Sequence, residues 1–253
     1  MNLDSAALSI LIPAFIVGIL VTATHVPLGM QVLARGIVFI DLAVAQIAGV
    51  GVILADFLGW ESRGIAVQVA ALAAALGGAL LLTWTERRWA QVQEAIIGVV
   101  FVLAASVALL LLARNPHGGE HLKDLLIGQI LWVDPGRLPI QALIAAGILA
   151  IWFWLRERLG RVGFYTLFAC AVTASVQLVG LYLVFATLIV PALATRYFAR
   201  GRYVGAYLVG VLGYATGLVA SAWLDLPSGA MIVCTMVAVG LLAAAAARTR
   251  QRA

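Results

Sequence analysis

The stretch that decides the fold is FYTLFACAVTASVQLVGLYLVFATLIVPALAT, residues 164–195, which holds no charged side chain over 32 consecutive positions. A helix needs about 20 apolar residues to cross the hydrocarbon core of a bilayer. The stretch is longer than one ordinary crossing, and Val179-Gly180 near its middle is a suitable helix break. The sequence predicts two tightly linked membrane segments, at 164–178 and 180–195.

The rest of the chain has a similar composition. Of its 253 residues, 64% are hydrophobic and 11% are charged, with a mean hydropathy of +1.09, whereas soluble domains are typically about 25% charged. We therefore predict an all-α polytopic membrane protein of about eight or nine transmembrane helices, with residues 1–253 forming one transmembrane domain. The predicted spans are 6–30, 37–58, 64–84, 94–113, 138–155, 164–178, 180–195, 203–223 and 229–247.

The arginine positions predict the orientation. Cytoplasmic loops are enriched in Lys and Arg, and one side of the bundle collects 12 of the 16 basic residues if 164–195 crosses twice. The N-terminus is then outside and the C-terminus is cytoplasmic. This bias also accounts for the net charge of +5, so we expect no nucleic acid partner. The arginines predicted to be cytoplasmic are Arg35, Arg87, Arg88, Arg156, Arg158, Arg161, Arg196, Arg200, Arg202, Arg248, Arg250 and Arg252.

Several runs contain residues that break or pack helices. Pro27 and Gly29 are predicted to interrupt the first run, which is tolerated only where protein or water satisfies the freed backbone groups. Residues 122–133 are too short to span and predict a re-entrant or broken helix. Two glycine pairs have the GxxxG spacing that is typical of close helix packing, namely Gly213 with Gly217 and Gly201 with Gly205.

Asp41 is the acid that lies clearly inside a predicted span, where insertion scales assign aspartate a cost of about 2.5–3.5 kcal/mol. Such residues usually face a protein interior or an aqueous path, which suggests a functional role. The alternative is an aspartate near the helix end that reaches water or pairs with Arg35. Gln46, five residues on, could offer a carbonyl oxygen from roughly the same side. His25 is either a ligand or proton carrier, or a hydrogen-bonded structural histidine.

An outer loop holds His117, Glu120 and His121 in the pattern H-x-x-E-H, which matches a zinc protease signature. That signature requires a helix, and Asn115-Pro116 and Gly118-Gly119 interrupt one across the first histidine. No third zinc ligand is apparent. The remaining interpretations are a loop that concentrates a divalent cation at an entrance and a solvated loop without a function of its own.

The chain has one lysine, Lys123, and it does not lie in the Gly-Lys-Ser/Thr context of a P-loop. The polypeptide therefore cannot bind ATP by that route. Active transport would need energy from another subunit or from an ion gradient.

Motifs along nearly the whole chain resemble, in the same order, those of the permease subunits of zinc/manganese/iron-type ABC importers. The strongest is VTASVQLVGLYLVFATLIVPALATR, similar to a two-helix element of that family that ends in proline and arginine. The motifs are PLG at 27–29, FIDLAVAQIAGVG at 39–51, EAIIG at 94–98, LLIGQILWV at 125–133, the two-helix element at 172–196 and DLPSG at 225–229.

The resemblance implies a non-enzymatic, homodimeric permease in the bacterial inner membrane, surrounded by lipid. A cytoplasmic ATP-binding subunit would drive each half, and a periplasmic metal-binding protein would dock outside. Zinc or manganese would be the transported substrate, with no permanently bound cofactor and with ATP only on the partner. The ion would enter near the histidine loop and pass Asp41 at the dimer interface, with Gln46 and His25 as further candidate ligands.

Two departures from the family pattern bear on this expectation. Family members commonly have a histidine four residues after the aspartate, where this chain has Ala45, and oxygen-only coordination suits manganese better than zinc. The loop that docks into the ATPase is shortened to LRERLGRVG, residues 155–163. Its arginines, Arg156, Arg158 and Arg161, are the predicted ATPase contact, together with neighbouring loops. The alternatives are that coupling differs in this chain and that these arginines only follow the positive-inside bias.

Other functional classes remain open from the sequence. A secondary transporter or channel could move ions with protons carried by Asp41 and His25, although no convincing internal repeat is present. An intramembrane metalloenzyme would use the histidine loop. A non-catalytic scaffold would leave the membrane-embedded Asp41 without a purpose.

Overall fold

A computed structural model of the chain describes residues 5–60, 64–112, 130–198 and 200–252. Those ranges hold nine α-helices and no strand, which confirms the predicted all-α class. Short 3-10 turns occur at Ala90–Val92, Ile130–Trp132 and Pro135–Arg137. The helices are α1 (Ser5–Arg35), α2 (Ile40–Phe57), α3 (Ile65–Trp89), α4 (Gln93–Leu112), α5 (Leu138–Leu155), α6 (Gly160–Val179), α7 (Leu181–Ala194), α8 (Arg202–Leu224) and α9 (Ser228–Arg252).

Within the described residues, seven helical stretches are long and apolar enough to cross a membrane. One of them, Ile65–Leu112, has 48 residues and would measure about 72 Å as a straight helix. The turn at Ala90–Val92 divides it into α3 and α4, and both pack along α2, so it crosses twice. With 14 residues, or about 21 Å, α7 is too short to span alone. Eight long helices and one short helix agree with the predicted number.

Helices α1 and α8 run antiparallel. The hydroxyl of Tyr207 donates to the carbonyl oxygen of Ala23, at 3.2 Å. Gly18 lies earlier in α1 than Ala23, and Tyr214 lies later in α8 than Tyr207. A Cβ built on Gly18 would lie 2.4 Å from the ring of Tyr214. The end of α1 therefore lies beside the start of α8, and we call this side of the bundle the arginine end.

The α6–α7 pair begins and finishes at the arginine end. The guanidinium of Arg35 lies 4.2 Å from the ring centroid of Phe164, near the start of α6. Thr195, directly after α7, packs beside Gly205 near the start of α8. The chain reverses at Gly180, whose φ of 81° and ψ of 164° belong to a region that is essentially restricted to glycine. The prediction that 164–195 forms two linked segments is confirmed.

The prediction that Pro27 and Gly29 interrupt the first helix is wrong, because α1 is continuous through both. Proline lacks the N–H that would bond the carbonyl four residues earlier, which is that of Ala23. The hydroxyl of Tyr207 donates to this carbonyl instead. A neighbouring helix thus satisfies the group that proline leaves free, which the sequence of α1 cannot reveal.

The packing predicted from the GxxxG spacing is confirmed for Gly213 and Gly217. It is wrong for Gly201, which precedes α8 with a φ of 68° and whose Cβ would have no atom within 4 Å. A Cβ on Gly213 would lie 2.7 Å from the Cβ of Met236, and one on Gly217 would lie 2.4 Å from the Cα of Ile232. Both contacts are with α9, which runs antiparallel to α8. Glycine allows the two helix backbones to approach this closely.

Candidate functional site

Asp41 lies in the first turn of α2 and has no exposed surface. Neither of its carboxylate oxygens has a hydrogen-bond partner among the described residues. The alternative in which Asp41 reaches water is therefore wrong. The alternative in which it pairs with Arg35 also fails, because the guanidinium lies over Phe164 and its Nη1 is itself buried without a partner in the same ranges. A charge in this position is costly unless another group compensates it.

The complete burial of Asp41 also bears on the expected dimer interface. Because the side chain has no exposed area on the single chain, a second copy cannot touch it in this conformation. The expectation that Asp41 lines a surface shared by two copies therefore stays a prediction, and it applies only to a conformation with different helix packing. Contact between Asp41 and a path outside the protomer requires a change in helix packing.

The start of α2 is held between α4 and α7. The ring of Phe39 stacks on that of Phe185, with centroids 6.3 Å apart and an interplanar angle of 10°. The N–H of Phe39 donates to Oε1 of Glu94, at 3.3 Å, and Oε2 of Glu94 is buried without a described partner. Negative charge at a helix N-terminus is favourable. Glu94 therefore helps to fix the turn that carries Asp41, a role that sequence reasoning missed although its motif was noted.

Gln46 does not share a face with Asp41. Five residues of helix correspond to a rotation of about 140°, so the two side chains point to different sides of α2, contrary to the expectation. Gln46 is half-buried and lines a narrow, mainly apolar cleft at the break between α6 and α7. The cleft is lined by Ala45, Gln46, Gly49, Ile53, Ala108, Val176 and Leu181.

His25 is fully buried on α1 and is hydrogen-bonded on one side of its ring only. Its Nδ1 lies 3.0 Å from the carbonyl oxygen of Val21 and 3.0 Å from the hydroxyl of Thr24. Since a carbonyl can only accept, Nδ1 is the ring nitrogen assigned the hydrogen, and Nε2 is left as an acceptor. Nε2 has no partner in the part of the chain that the structure describes. His25 therefore makes structural hydrogen bonds through Nδ1 and still has, in Nε2, a ring nitrogen without a described partner.

His25 and Asp41 are not hydrogen-bonded to each other, because Nε2 of His25 and both carboxylate oxygens of Asp41 lack partners among the described residues. The expectation that they act along one ion path stays a prediction. His25 also shares a helix side with Gly29, whose closest contact is with Leu188 of α7. Across the described ranges, no group of three or more His, Cys, Asp or Glu residues could hold a metal ion.

The other predicted site residues belong to two segments of the sequence, the histidine loop and the short arginine loop. His117, Glu120 and His121 lie outside the described residues, as does most of the predicted 122–133 helix, of which Ile130–Trp132 is a 3-10 turn. The arginines of the short loop are exposed at the arginine end. Nε of Arg161 lies 3.9 Å from Oε1 of Glu86 at the end of α3. The predicted ATPase contact is therefore accessible on this chain.

Comparison with known proteins gives a match to the model of the ABC 3 transport family over residues 7–164 and 155–247. A probable iron transport system membrane protein of Haemophilus influenzae is 26% identical over 71% of this chain and 74% of that protein. The chelated iron transport system membrane protein YfeC of Yersinia pestis is 27% identical over 59% of this chain and 58% of that protein.

Two solved structures share the fold. PsaBC from Streptococcus pneumoniae, in complex with Fab, aligns with a TM-score of 0.73 and 21% identity, covering 95% of this chain and 91% of that chain. An inward-facing structure assigned as a metal-chelate type ABC transporter aligns with a TM-score of 0.63 and 15% identity, covering 97% and 86%. At these identities the likeness establishes the helical architecture.

Proposed function

The chain belongs to the ABC 3 transport family, and we propose that it is the transmembrane permease subunit of an ABC importer for divalent transition-metal ions. It works as a homodimer in the bacterial inner membrane, with apolar helix faces against lipid. A cytoplasmic ATP-binding subunit drives each half, and a periplasmic metal-binding protein delivers the ion. The arginine end is cytoplasmic, which places the N-terminus outside and the C-terminus inside.

The observation that carries this proposal is the state of Asp41. Its carboxylate is buried in a membrane-spanning helix, and both oxygens lack a described partner. A cation in transit would compensate that charge, and few ligands allow the ion to leave again. ATP-driven movement of α2 against its neighbours would expose Asp41 to the pathway at the homodimer interface and then occlude it.

The donor set bears on which metal is carried. Ala45 occupies the position where the family commonly has histidine, so α2 offers oxygen donors, which suit manganese better than zinc. The relatives named for iron transport make ferrous iron a third ion to test. His25 and Gln46 contribute at other levels of the pathway. The histidine loop, with His117, Glu120 and His121, collects the ion at the outer entrance.

The exposed arginines of the short loop between α5 and α6 form the contact with the ATP-binding subunit. Arg156 and Arg158 lie in the turn, and Arg161 lies in the first turn of α6 beside Glu86. Movement of the partner would therefore reach α6 directly. Through the cleft at Val176 it would also reach α2, which carries Asp41.

The test is uptake of Mn²⁺, Zn²⁺ and Fe²⁺ into liposomes that contain the chain with its ATP-binding subunit and binding protein. We expect ATP-dependent uptake that Asp41→Asn abolishes. Asp56→Asn, at the other end of α2, is the matched control and should transport normally. Normal uptake by Asp41→Asn would refute the proposed path, and uptake that follows a proton gradient without ATP would support the secondary-transporter alternative.

A further inference from the structure

Gln93, the first residue of α4, hydrogen-bonds to two other helices. It is 3% exposed. Its Oε1 accepts a hydrogen bond from the hydroxyl of Thr85 in α3, at 3.0 Å, and its Nε2 donates to the carbonyl oxygen of Leu82, at 3.0 Å. Nε2 also donates to the hydroxyl of Tyr165 in α6, at 3.5 Å. Because a satisfied buried polar network rigidifies the elements that it joins, the start of α4 is tied to both α3 and α6.

Tyr165 connects this network to the short arginine loop. Its side chain has no exposed surface, and its hydroxyl lies close to the carboxylate of Glu86 as well as to Gln93. Oε1 of Glu86 lies 3.9 Å from Nε of Arg161, whose side chain is 52% exposed. Arg161 is also one helical turn before Tyr165 on α6. A displacement of Arg161 by a partner protein would therefore act on buried groups that bond Gln93.

The next residue of α4 continues this path of contacts to α2. Glu94 follows Gln93 directly, and its Oε1 accepts a hydrogen bond from the N–H of Phe39, at 3.3 Å. Phe39 immediately precedes α2, and Asp41 lies in the first turn of that helix. The contacts thus lead from an exposed arginine at one end to the turn of the buried carboxylate at the other.

The polar character of these contacts distinguishes them from the apolar packing around them. Apolar side chains can slide past one another and stay in contact, whereas a buried donor or acceptor that loses its partner is costly. The starts of α4 and α6 and the end of α3 are therefore expected to move together. Coupling between distant sites requires such a network and an element with two arrangements, which here is the first turn of α2, with Asp41 enclosed or in contact with the pathway.

We propose that Gln93 and Glu94 are positioning residues for transport. Gln93 makes α4 follow α6 when the ATP-binding subunit displaces the short arginine loop, and Glu94 passes that movement to the turn that carries Asp41. The inference rests on the proposed function and identifies the residues through which ATP would change the surroundings of Asp41. It acts at the arginine end, in addition to the contact through the cleft at Val176.

The experiment measures ATP hydrolysis and Mn²⁺ uptake in the same liposomes, which contain the chain with its ATP-binding subunit and binding protein. Gln93→Met keeps a side chain of similar length without these hydrogen bonds, and it should lower the uptake per ATP hydrolysed about tenfold. Thr83→Val is the matched control, because the buried hydroxyl of Thr83 donates to Ala79 of its own helix, and it should keep the original ratio. If Gln93→Met lowers hydrolysis and uptake equally, the network only stabilises the fold and the inference fails.

Two variants of Glu94 separate hydrogen bonding from charge. Glu94→Gln keeps an oxygen that can accept from the N–H of Phe39, so its uptake per ATP should equal that of the original chain. Glu94→Met has no such acceptor and should behave like Gln93→Met. Equal ratios in the two variants would refute the role of Glu94.

A second measurement keeps the proposal testable if Gln93→Met fails to fold. Tyr165→Phe keeps the ring and removes only the hydroxyl. In a chain with Asp41→Cys, Cys170→Ala and Cys234→Ala, ATP with vanadate should change the rate of thiol alkylation about fivefold or more, and Tyr165→Phe should remove that effect. The same ATP effect with and without Tyr165→Phe would refute the inference, as would the absence of any ATP effect.

These outcomes are distinct from failure of the proposed function. ATP-driven Mn²⁺ uptake that Gln93→Met retains at the original ratio would overturn only the role of Gln93. Uptake that survives unchanged in Asp41→Asn would overturn the proposed path itself.

Discussion

Replacement of Gly29 with alanine tests whether close packing of α1 on α7 stabilises the bundle. A Cβ at this position would lie 1.9 Å from the carbonyl oxygen of Leu188 and 2.8 Å from its carbonyl carbon. Both atoms belong to the backbone of α7, so no side-chain rotation relieves the contact. Carbon–oxygen contacts of this kind are normally about 3.3 Å or longer, so the two helices must separate locally by about 1.4 Å.

The cost follows from that separation. Adding a methyl group to a packed core costs about 1–3 kcal/mol where side chains adjust, and a backbone clash belongs at the upper limit. The greater helix propensity of alanine offsets about 1 kcal/mol, which leaves a net loss of about 2 kcal/mol. At about 2–4 °C per kcal/mol for a chain of this size, the midpoint of thermal unfolding should fall by about 4–8 °C.

The assay is thermal unfolding of the purified protein in detergent, followed by tryptophan fluorescence. Gly98→Ala is the matched control, because a Cβ at Gly98 of α4 would have no atom within 4 Å. That variant should unfold at or slightly above the original temperature. If Gly29→Ala and Gly98→Ala unfold at the same temperature, the close contact of α1 with α7 does not stabilise the fold and the reasoning fails.

Two further variants test other features of the fold. Gly180→Ala forces a Cβ onto a residue with φ of 81° and ψ of 164° and should destabilise the protein by about 1–3 kcal/mol; an unchanged unfolding midpoint would show that the reversal between α6 and α7 does not need glycine. Tyr207→Phe removes the donor to the carbonyl that Pro27 leaves free and should cost about 1 kcal/mol. Faster amide hydrogen exchange in α1 should accompany that loss, and unchanged exchange would mean that another group satisfies the carbonyl of Ala23.

The spans were predictable because hydropathy acts over a local window. The predicted fifth span, 138–155, coincides with α5, and the others differ from their helices by a few residues. Pro27 misled the prediction because its effect depends on Tyr207, which lies 180 residues later in the chain. One segment of sequence does not show whether a proline breaks its helix or whether another helix hydrogen-bonds the carbonyl that the proline leaves free.

The candidate site was only partly predictable. Asp41 stands out in the sequence because a carboxylate is rare and costly within an apolar run. Glu94 does not stand out, and only the structure shows that its Oε1 accepts a hydrogen bond from the N–H of Phe39 at the start of α2. The rotation of Gln46 away from Asp41, by contrast, follows from their five-residue spacing in a helix.

By itself, the sequence determined that this chain is a helical membrane protein, where most of its helices lie and which of their ends carry arginine. Each of these depends on the transfer free energy of about 20 neighbouring residues. The tertiary structure alone decided which helix faces meet, how α6 and α7 fold back together, and that Asp41 is enclosed inside the protomer. Lipid is as apolar as a leucine side chain, so hydropathy does not distinguish a face that meets lipid from one that meets protein. Packing between residues far apart in the chain determines which faces meet protein.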